Sequence, residues 1–540
     1  MDVDVSGRSD VVDICLVGAG VAGLYALWQC KVSGLSVTCY EAAGDVGGVW
    51  YWNRYPGARC DIESIDYSYS FDKGLQAEWR WSENYATQPE ILSYFQHAAD
   101  RLALRDLITF EERVTSAAYD DASATWTVRT ASGKQTVARY LVLATGSLSS
   151  LNVPDIDGFD SFSGDVLFTA EWPHEPVDFT GKRVGLIGTG SSGVQLAPLV
   201  AEQAASLTVF QRSANYSVPL HVHSYTDEEW AEILAGYEER RAVSRVSLGG
   251  TPHGPNPVHP RDMDEAQRHA ALEQRWQRGG ILFASTFQEQ RVDLAVNDLA
   301  REFAEEKIRA IVHDAQTAED LIPTDHPIGT KRPITDTGYF EMFNRDHVTL
   351  VNLRREPITK MTPEAVVTAE REFEIDVLIL ATGFDAFTGA LKAINPVGVD
   401  GVDMEEAWRD GPVTYLGVQV PAFPNMFVVN GPGSPSVLAN QAMTAEQQVE
   451  WIFDLIRHCR AQGVIRVSTS QEAAAEWGRA VQAAADKTLY PTAKNTWYVG
   501  ANVPGKPQVF MPYAGGFGTY RQICDEVAAA NYRGFDLRTS

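Results

Sequence analysis

FSGDVLFTAEWPHEPVDFTGKRVGLIGTGSSG, residues 162–193, decides how the chain is read. Its end is a short strand-like run, Arg183 to Ile187, which empties into Gly188, Gly190 and Gly193 at G-x-G-x-x-G spacing. After a strand and before a helix, that spacing lets backbone N–H groups approach a pyrophosphate. Three glycines also arise in plain tight turns, so a second occurrence matters.

It lies near the N-terminus. Val12 to Val17 is apolar apart from Asp13, as a buried parallel strand is, and it meets VGAGVAGL at 17–24 with Gly18, Gly20 and Gly23 in the same spacing. Ala22 and Gly23 fall at the N-terminus of an apolar helix, where a pyrophosphate is favoured. Leu35 to Tyr40 reads as the next strand, and Glu41 at its end stands where an acid accepts hydrogen bonds from a ribose. In the second unit the strand Leu207 to Phe210 leads instead to Arg212 and Ser213; a cation there suits a 2′-phosphate and favours NADPH over NADH.

Apolar strands ending in Ala-Thr-Gly occur at 140–146 and, as DVLILATGFD, at 376–385. They are the expected crossings where an inserted nucleotide domain leaves and rejoins the first. The reading is an α/β protein with two Rossmann-like dinucleotide-binding domains: 1–147 and 385–540 for the first, 148–384 for the second. Within the second, 224–321 reads as a charged helical insertion, with a mobile surface loop around Gly249 to Pro260. Ile108 to Thr115, Thr125 to Thr130 and Thr136 to Arg139 read as short antiparallel strands, with Tyr140 to Ala144 a separate one. GGVWYWNRYPGARCDIESIDYSYS, 47–70, reads as a loop laid along a flat ring rather than a helix. NGPGSPSVLANQ, 430–441, reads as a glycine-rich loop before a long helix.

The 540 residues bound two to four domains, and the net charge of −26 argues against nucleic acid and anionic membrane as partners. MDVDVSGRSD lacks the basic start and apolar run of a signal peptide, and no apolar run reaches transmembrane length, so a cytoplasmic protein is expected. Six scattered cysteines form no C-x-x-C, which argues against disulfide reductase chemistry. His221, His223, His253 and His259 lack carboxylates at ligand spacing; they are expected on loops or the surface, and no metal site is expected. Oligomeric state stays open, with a monomer the simplest expectation.

These motifs together resemble the FAD-containing, NADPH-dependent Baeyer–Villiger monooxygenases, nearest the phenylacetone and steroid monooxygenase branch. The likeness runs from Val11 to Phe535 through both glycine turns, GGVWYWNRYPGARCD, GTKR at 329–332, DVLILATGFD and GANVPGKP. It implies a reduced flavin that adds O2 and a flavin peroxide that converts a bulky cyclic or aryl ketone to an ester or lactone. Such chemistry needs a fixed cation near the flavin; the resemblance puts it at Arg332, oriented by Asp61. By the same carry-over Glu41, Val49, Trp50, Tyr51, Trp52, Asp61, Tyr67 and Val114 touch FAD. Thr189, Gly190, Ser191, Ser192, Gly193, Val194 and Gln195 cradle the NADPH pyrophosphate. Lys331, Arg212 and Ser213 grip its phosphate, and Trp497 covers the nicotinamide side.

The family signature F-x-G-x-x-x-H-x-x-x-W-P is met by Phe162, Gly164, Trp172 and Pro173, but Phe168 holds the histidine position. Phenylalanine neither donates a hydrogen bond nor titrates, and His174 is the nearest substitute. The departure keeps two alternatives open: oxidation of sulfur or amine nitrogen, or an FAD/NADP redox sensor that does not oxygenate.

Overall fold

The computed structural model describes residues 11–539; the first ten, read above as carrying no signal peptide, lie outside them. Two sheets organise the chain. The first is built from β1 (Val12–Val17), β2 (Val37–Tyr40), β3 (Ile108–Thr109), β4 (Val114–Asp120), β5 (Thr125–Thr130) and β6 (Gln135–Leu143), in the order β3-β2-β1-β6-β5-β4. The second takes β7 (Asp165–Phe168), β8 (Arg183–Ile187) and β9 (Ser206–Gln211). A small parallel pair of β10 (Ser217–Pro219) and β11 (Ile334–Asp336) follows, and then come β12 (Val348–Asn352), the antiparallel trio β13 (Ile358–Met361), β14 (Ala365–Thr368) and β15 (Glu372–Glu374), and β16 (Val377–Leu380). Its parallel order is β12-β9-β8-β16-β7. Later in the chain β17 (Met426–Val428) returns to the first sheet beside β6, and β18 (Arg466–Thr469) pairs antiparallel with β19 (Phe535–Arg538).

Each glycine turn thus leaves a central strand, β1 or β8, buried on both sides and therefore apolar. Its neighbour on one side is a strand ending in Ala-Thr-Gly: Val17 pairs with Leu143, and Ile187 with Leu380. The two crossings between the sheets lie together, for Leu151 bridges Phe384 and Thr382 Oγ1 donates to Asn152 O at 2.6 Å.

Several expectations need correction. Ile108 to Thr115 is not one strand: β3 extends the parallel edge beside β2, and only from Val114 does the chain enter the hairpin with β5. Thr136 to Ala144 does not break at Tyr140, because β6 serves both sheet halves, pairing antiparallel with β5 and parallel with β1. Val49–Trp52 forms one helical turn, since Gly47 and Gly48 supply positive φ ahead of it and Asn53 Nδ2 caps Val49 O at 3.0 Å. The 249–260 stretch is anchored rather than a free surface loop: Asn440 N donates to Gly249 O, and His253 reaches Glu63 at 3.1 Å.

The helices of the insertion, Asp227–Val246, Glu265–Arg278, Leu294–Ile311 and Ala315–Leu321, each begin at a side-chain cap, two of them capping boxes. The first packs Trp230 into the core of the first sheet. Arg240, on the same helix, lies among Glu63, Asp66 and His253, three groups within 4.8 Å of one another, and pairs with Asp66 at 2.7 Å. His253 therefore does have carboxylate partners, brought from a distant segment, and the guanidinium already supplies the positive charge among them. All six cysteines are buried and free. Among the described residues no helix is long and apolar enough to cross a membrane.

Candidate active site

The helices after the two glycine turns, Val21–Ser33 and Ser191–Gln203, start at Gly20 and Gly190 with no side-chain cap. Their first N–H groups are left for a ligand, unlike those of the insertion helices. A Cβ at Gly18, whose φ is +101°, would sit 2.5 Å from Ala144 O, and one at Gly23 would sit 1.9 Å from Gly18 O. The second turn repeats this: Gly188 at φ +108° would meet Ala381 O at 2.3 Å, and Gly193 would meet Gly188 O at 2.2 Å. Two uncapped helix starts behind two cradles that side chains would fill fit two dinucleotides.

Around the first turn, Glu41 is 5 % exposed and accepts from Ala19 N at 2.6 Å and Ala43 N at 2.8 Å. Burial raises its pKa above the ordinary 4.5 despite those bonds. Ala22 is half-buried on the first helical turn, and Gly20 faces Gly48, so the turn looks onto the aromatic segment. There Val49, Trp50, Tyr51 and Trp52 are all half-buried, and Trp50 Nε1 donates to Tyr67 OH at 3.1 Å. Val114 is buried at the start of β4.

Around the second turn the seven cradle residues divide. Thr189 Oγ1 donates to Ser213 O at 3.2 Å, and Gly190 has open space about it. Ser191 and Ser192 open the helix. Val194 is core, and Gln195 faces the first unit, accepting from Tyr55 OH at 2.9 Å and donating to Arg59 O at 3.1 Å. The Gln195 side chain thus ties this turn to the Tyr55–Arg59 segment.

Between the units stands Arg332. Its Nε and Nη2 donate to the two oxygens of Asp61 at 2.6 and 2.7 Å, and Nη1 donates to Val437 O at 2.6 Å. Burial disfavours the guanidinium charge, but Asp61 outweighs it and raises the pKa above the ordinary 12.5. Of the five N–H groups of an arginine, one on Nη1 and one on Nη2 stay unused. Asp61 Oδ1 and Oδ2 thus fix the fork while leaving it able to bind an anionic oxygen.

Beside it, Lys331 is 9 % exposed and 3.5 Å from Asp325, which also accepts from Arg354 and, at 2.6 Å, from His326 Nδ1. Arg354 Nη2 donates to Ser213 Oγ at 3.0 Å. Burial and the charges of Arg354 and Arg212 hold Lys331 below its ordinary pKa despite Asp325, as expected where cations crowd. Arg212 is exposed and forms no ion pair among the described residues. Trp497 stacks on Phe387 with ring centres 5.6 Å apart.

Asn215, Asp325, His326 and Arg354 are absent from the set drawn from sequence. Asp325 and His326 stand just ahead of GTKR and were within reach of a charge reading; Asn215 and Arg354 come from the distant segments that follow β9 and β12. Phe168 ends the edge strand β7 opposite Leu380 and packs with the apolar cluster around Phe210. His174 is exposed and meets the Tyr51 ring edge-on, 5.2 Å between centres.

Residues 12–224 match the family model described as flavin-binding monooxygenase-like. The chain is 39% identical to the 2-oxo-Delta(3)-4,5,5-trimethylcyclopentenylacetyl-CoA monooxygenase of Pseudomonas putida over 98% of this chain and 99% of that one. It is 41% identical to a Baeyer–Villiger monooxygenase of Pseudooceanicola batsensis, over 96% and 95%. Among solved structures, an oxidized steroid monooxygenase bound to NADP superposes with a TM-score of 0.94 at 51% identity, covering 98% of this chain and 100% of that one.

Proposed function

The chain belongs to the Baeyer–Villiger monooxygenases, FAD-containing enzymes that use NADPH, and from that premise we propose how its residues divide the work and which ketones it takes. Bound FAD, reduced by NADPH, supplies the activation of O2 and the oxygen transfer that turns a ketone into an ester or lactone.

The proposed first nucleotide unit, 1–147 with 385–540, holds FAD. Gly20, Ala22 and Gly23 bring backbone N–H groups to its pyrophosphate, Gly18, whose own N–H donates to Tyr40 O, makes the tight turn that lets them approach, and Glu41 holds that turn in shape while keeping lone pairs for a ribose. Val49 to Trp52, Asp61 and Tyr67 flank the ring, and Val114 offers backbone. The second unit, 148–384, holds NADPH on Thr189 to Gln195, with Arg212, Ser213 and Lys331 on its phosphate and Trp497 beside the nicotinamide.

Arg332 is the proposed catalytic cation. Oxygen transfer to a carbonyl develops negative charge on oxygen, and two free N–H groups on a guanidinium that never deprotonates meet that charge without reorganising. Asp61 offsets the cost of a half-buried cation and sets its plane. The two-point Arg332–Asp61 pair, formed between residues of different units, is the observation that carries this reading.

The substrate class we propose is a bulky cyclic or aryl ketone, supported by the likeness to a steroid monooxygenase. The test is a panel of such ketones scored as ester formed per NADPH consumed. Arg332→Ala is expected to lower ester formation about 10²–10³-fold with FAD still bound. Hydrogen peroxide as the sole product with every bulky ketone, or full ester formation by Arg332→Ala, sinks it.

A further inference from the structure

The cation cluster and Arg332 are joined by a buried chain of hydrogen bonds. Asp325 Oδ1 lies 2.6 Å from His326 Nδ1, His326 Nε2 lies 3.0 Å from Asn215 Oδ1, and Asn215 Nδ2 donates to Arg332 O at 3.0 Å. The imidazole is fully enclosed, with the ring of Tyr216 edge-on at 5.5 Å.

The amide of Asn215 has one workable orientation. Its Oδ1 also accepts from Tyr216 N at 2.9 Å, so turning it over would set NH2 against N–H and oxygen against the carbonyl of Arg332. Both ring nitrogens of His326 therefore face acceptors. A neutral imidazole carries one N–H and must leave one bond unmade, pressing a lone pair on Asn215 Oδ1 or on the carboxylate; an imidazolium makes both.

The charged groups facing the ring are Asp325, Lys331 and Arg354. Burial disfavours the imidazolium, Asp325 favours it, Lys331 and Arg354 oppose it, and the net direction is below the ordinary 6.5. A phosphate held by Lys331, Arg212 and Ser213, whose Oγ accepts from Arg354 at 3.0 Å, would offset those two opposing charges.

We propose that His326 is a positioning residue that takes up a proton when a phosphate occupies the neighbouring cation cluster, and that the protonated ring then fixes Asn215 against the carbonyl of Arg332. The proton comes from solvent and goes to Nε2, while Nδ1–H stays on Asp325. Occupancy of the phosphate site is thereby tied to the backbone that carries the catalytic guanidinium. The proposal rests on the assignment of the NADPH phosphate to this cluster.

The test is calorimetric titration of the FAD-loaded protein with NADP+ in buffers of different ionisation enthalpy. Wild type is expected to take up as much as about one proton more than His326→Gln. The sign is distinctive, because the phosphate's own second ionisation, near pH 6, would release protons on meeting cations. Ligand raises the ring's pKa, so above the phosphate's own ionisation near pH 6 NADP+ binds wild type more tightly as pH falls. Its Kd weakens as pH rises through the ligand-bound pKa, and His326→Gln loses that slope. NAD+, without the 2′-phosphate, should cause no uptake, a comparison that needs only wild-type protein. NADP+ binding that responds to Lys331→Ala and Arg212→Ala but shows no proton uptake beyond that with NAD+ overturns this proposal alone. Binding indifferent to both substitutions overturns the phosphate assignment and the proposal together.

Discussion

In the first nucleotide unit the side chain after the second strand, Glu41, is 5 % exposed and spent on two backbone N–H groups; in the second unit the same place holds Arg212, exposed and without an ion pair among the described residues. Gly20 is roofed by Gly48, whereas Gly190 has open space about it. Both turns share strand, glycines and helix, and both rest on the carbonyl of an Ala-Thr-Gly strand end. Identical backbone logic is thus finished as an enclosed seat in one unit and an open one in the other. Enclosure suits a group that stays, and an exposed cation suits a phosphate that comes and goes.

The sharpest way to break that contrast is to add one methyl to each turn. Gly20→Ala puts a Cβ 3.3 Å from the Cα of Gly48, a backbone neighbour that must give way, whereas Gly190→Ala, at the matching place, meets nothing within 4 Å. The first variant is expected to lose bound flavin and lower the thermal midpoint, and the second to keep both. Flavin absorbance and the thermal midpoint decide; a yellow Gly20→Ala protein with the wild-type midpoint removes the distinction.

A smaller effect is expected from Arg212→Ala. Loss of an exposed cation should raise the KM for NADPH ~10-fold, leave that for NADH nearly unchanged, and leave FAD content untouched. Equal loss with both nicotinamides would mean the side chain does not read the 2′-phosphate.

Smallest is a pH effect where the insertion helix Asp227–Val246 grips the first unit. Burial alone would raise the Glu63 pKa, but His253 and Arg240 outweigh it and hold the carboxyl at about 2, below the ordinary 4.5. A depressed folded-state pKa gives stability that is complete above about 4.5 and drains as pH falls toward 2. Glu63→Gln should remove on the order of 2 kcal/mol above pH 5 and less below pH 3, read from urea midpoints. A loss independent of pH would assign Glu63 a packing role only.

Much of this was legible in the chain because it is local. Apolar runs mark β1, β8 and β16, and three glycines after a strand announce a turn whatever lies around it. Asp61 and Arg332 were paired on charge and resemblance, and the structure sets them in two-point contact. The failures are equally physical. Val49 to Trp52 looked like a loop because aromatic density hides a single helical turn, and β6 looked broken because one strand has two kinds of neighbour. The Glu63–His253 and His326–Asn215 contacts join residues far apart in sequence, where spacing carries no signal.

The residues alone determined that there are two glycine turns, that an acid follows one and a cation the other, and that Phe168 replaces the signature histidine. These are properties of neighbours along the chain. Only the tertiary structure decided that the Gln195 side chain meets Tyr55 and Arg59, that Asp325 is shared by Lys331, Arg354 and His326, and that both nitrogens of His326 face acceptors. Hydrogen-bond satisfaction and charge balance are settled by which groups burial forces together, and no spacing rule along one dimension contains that information.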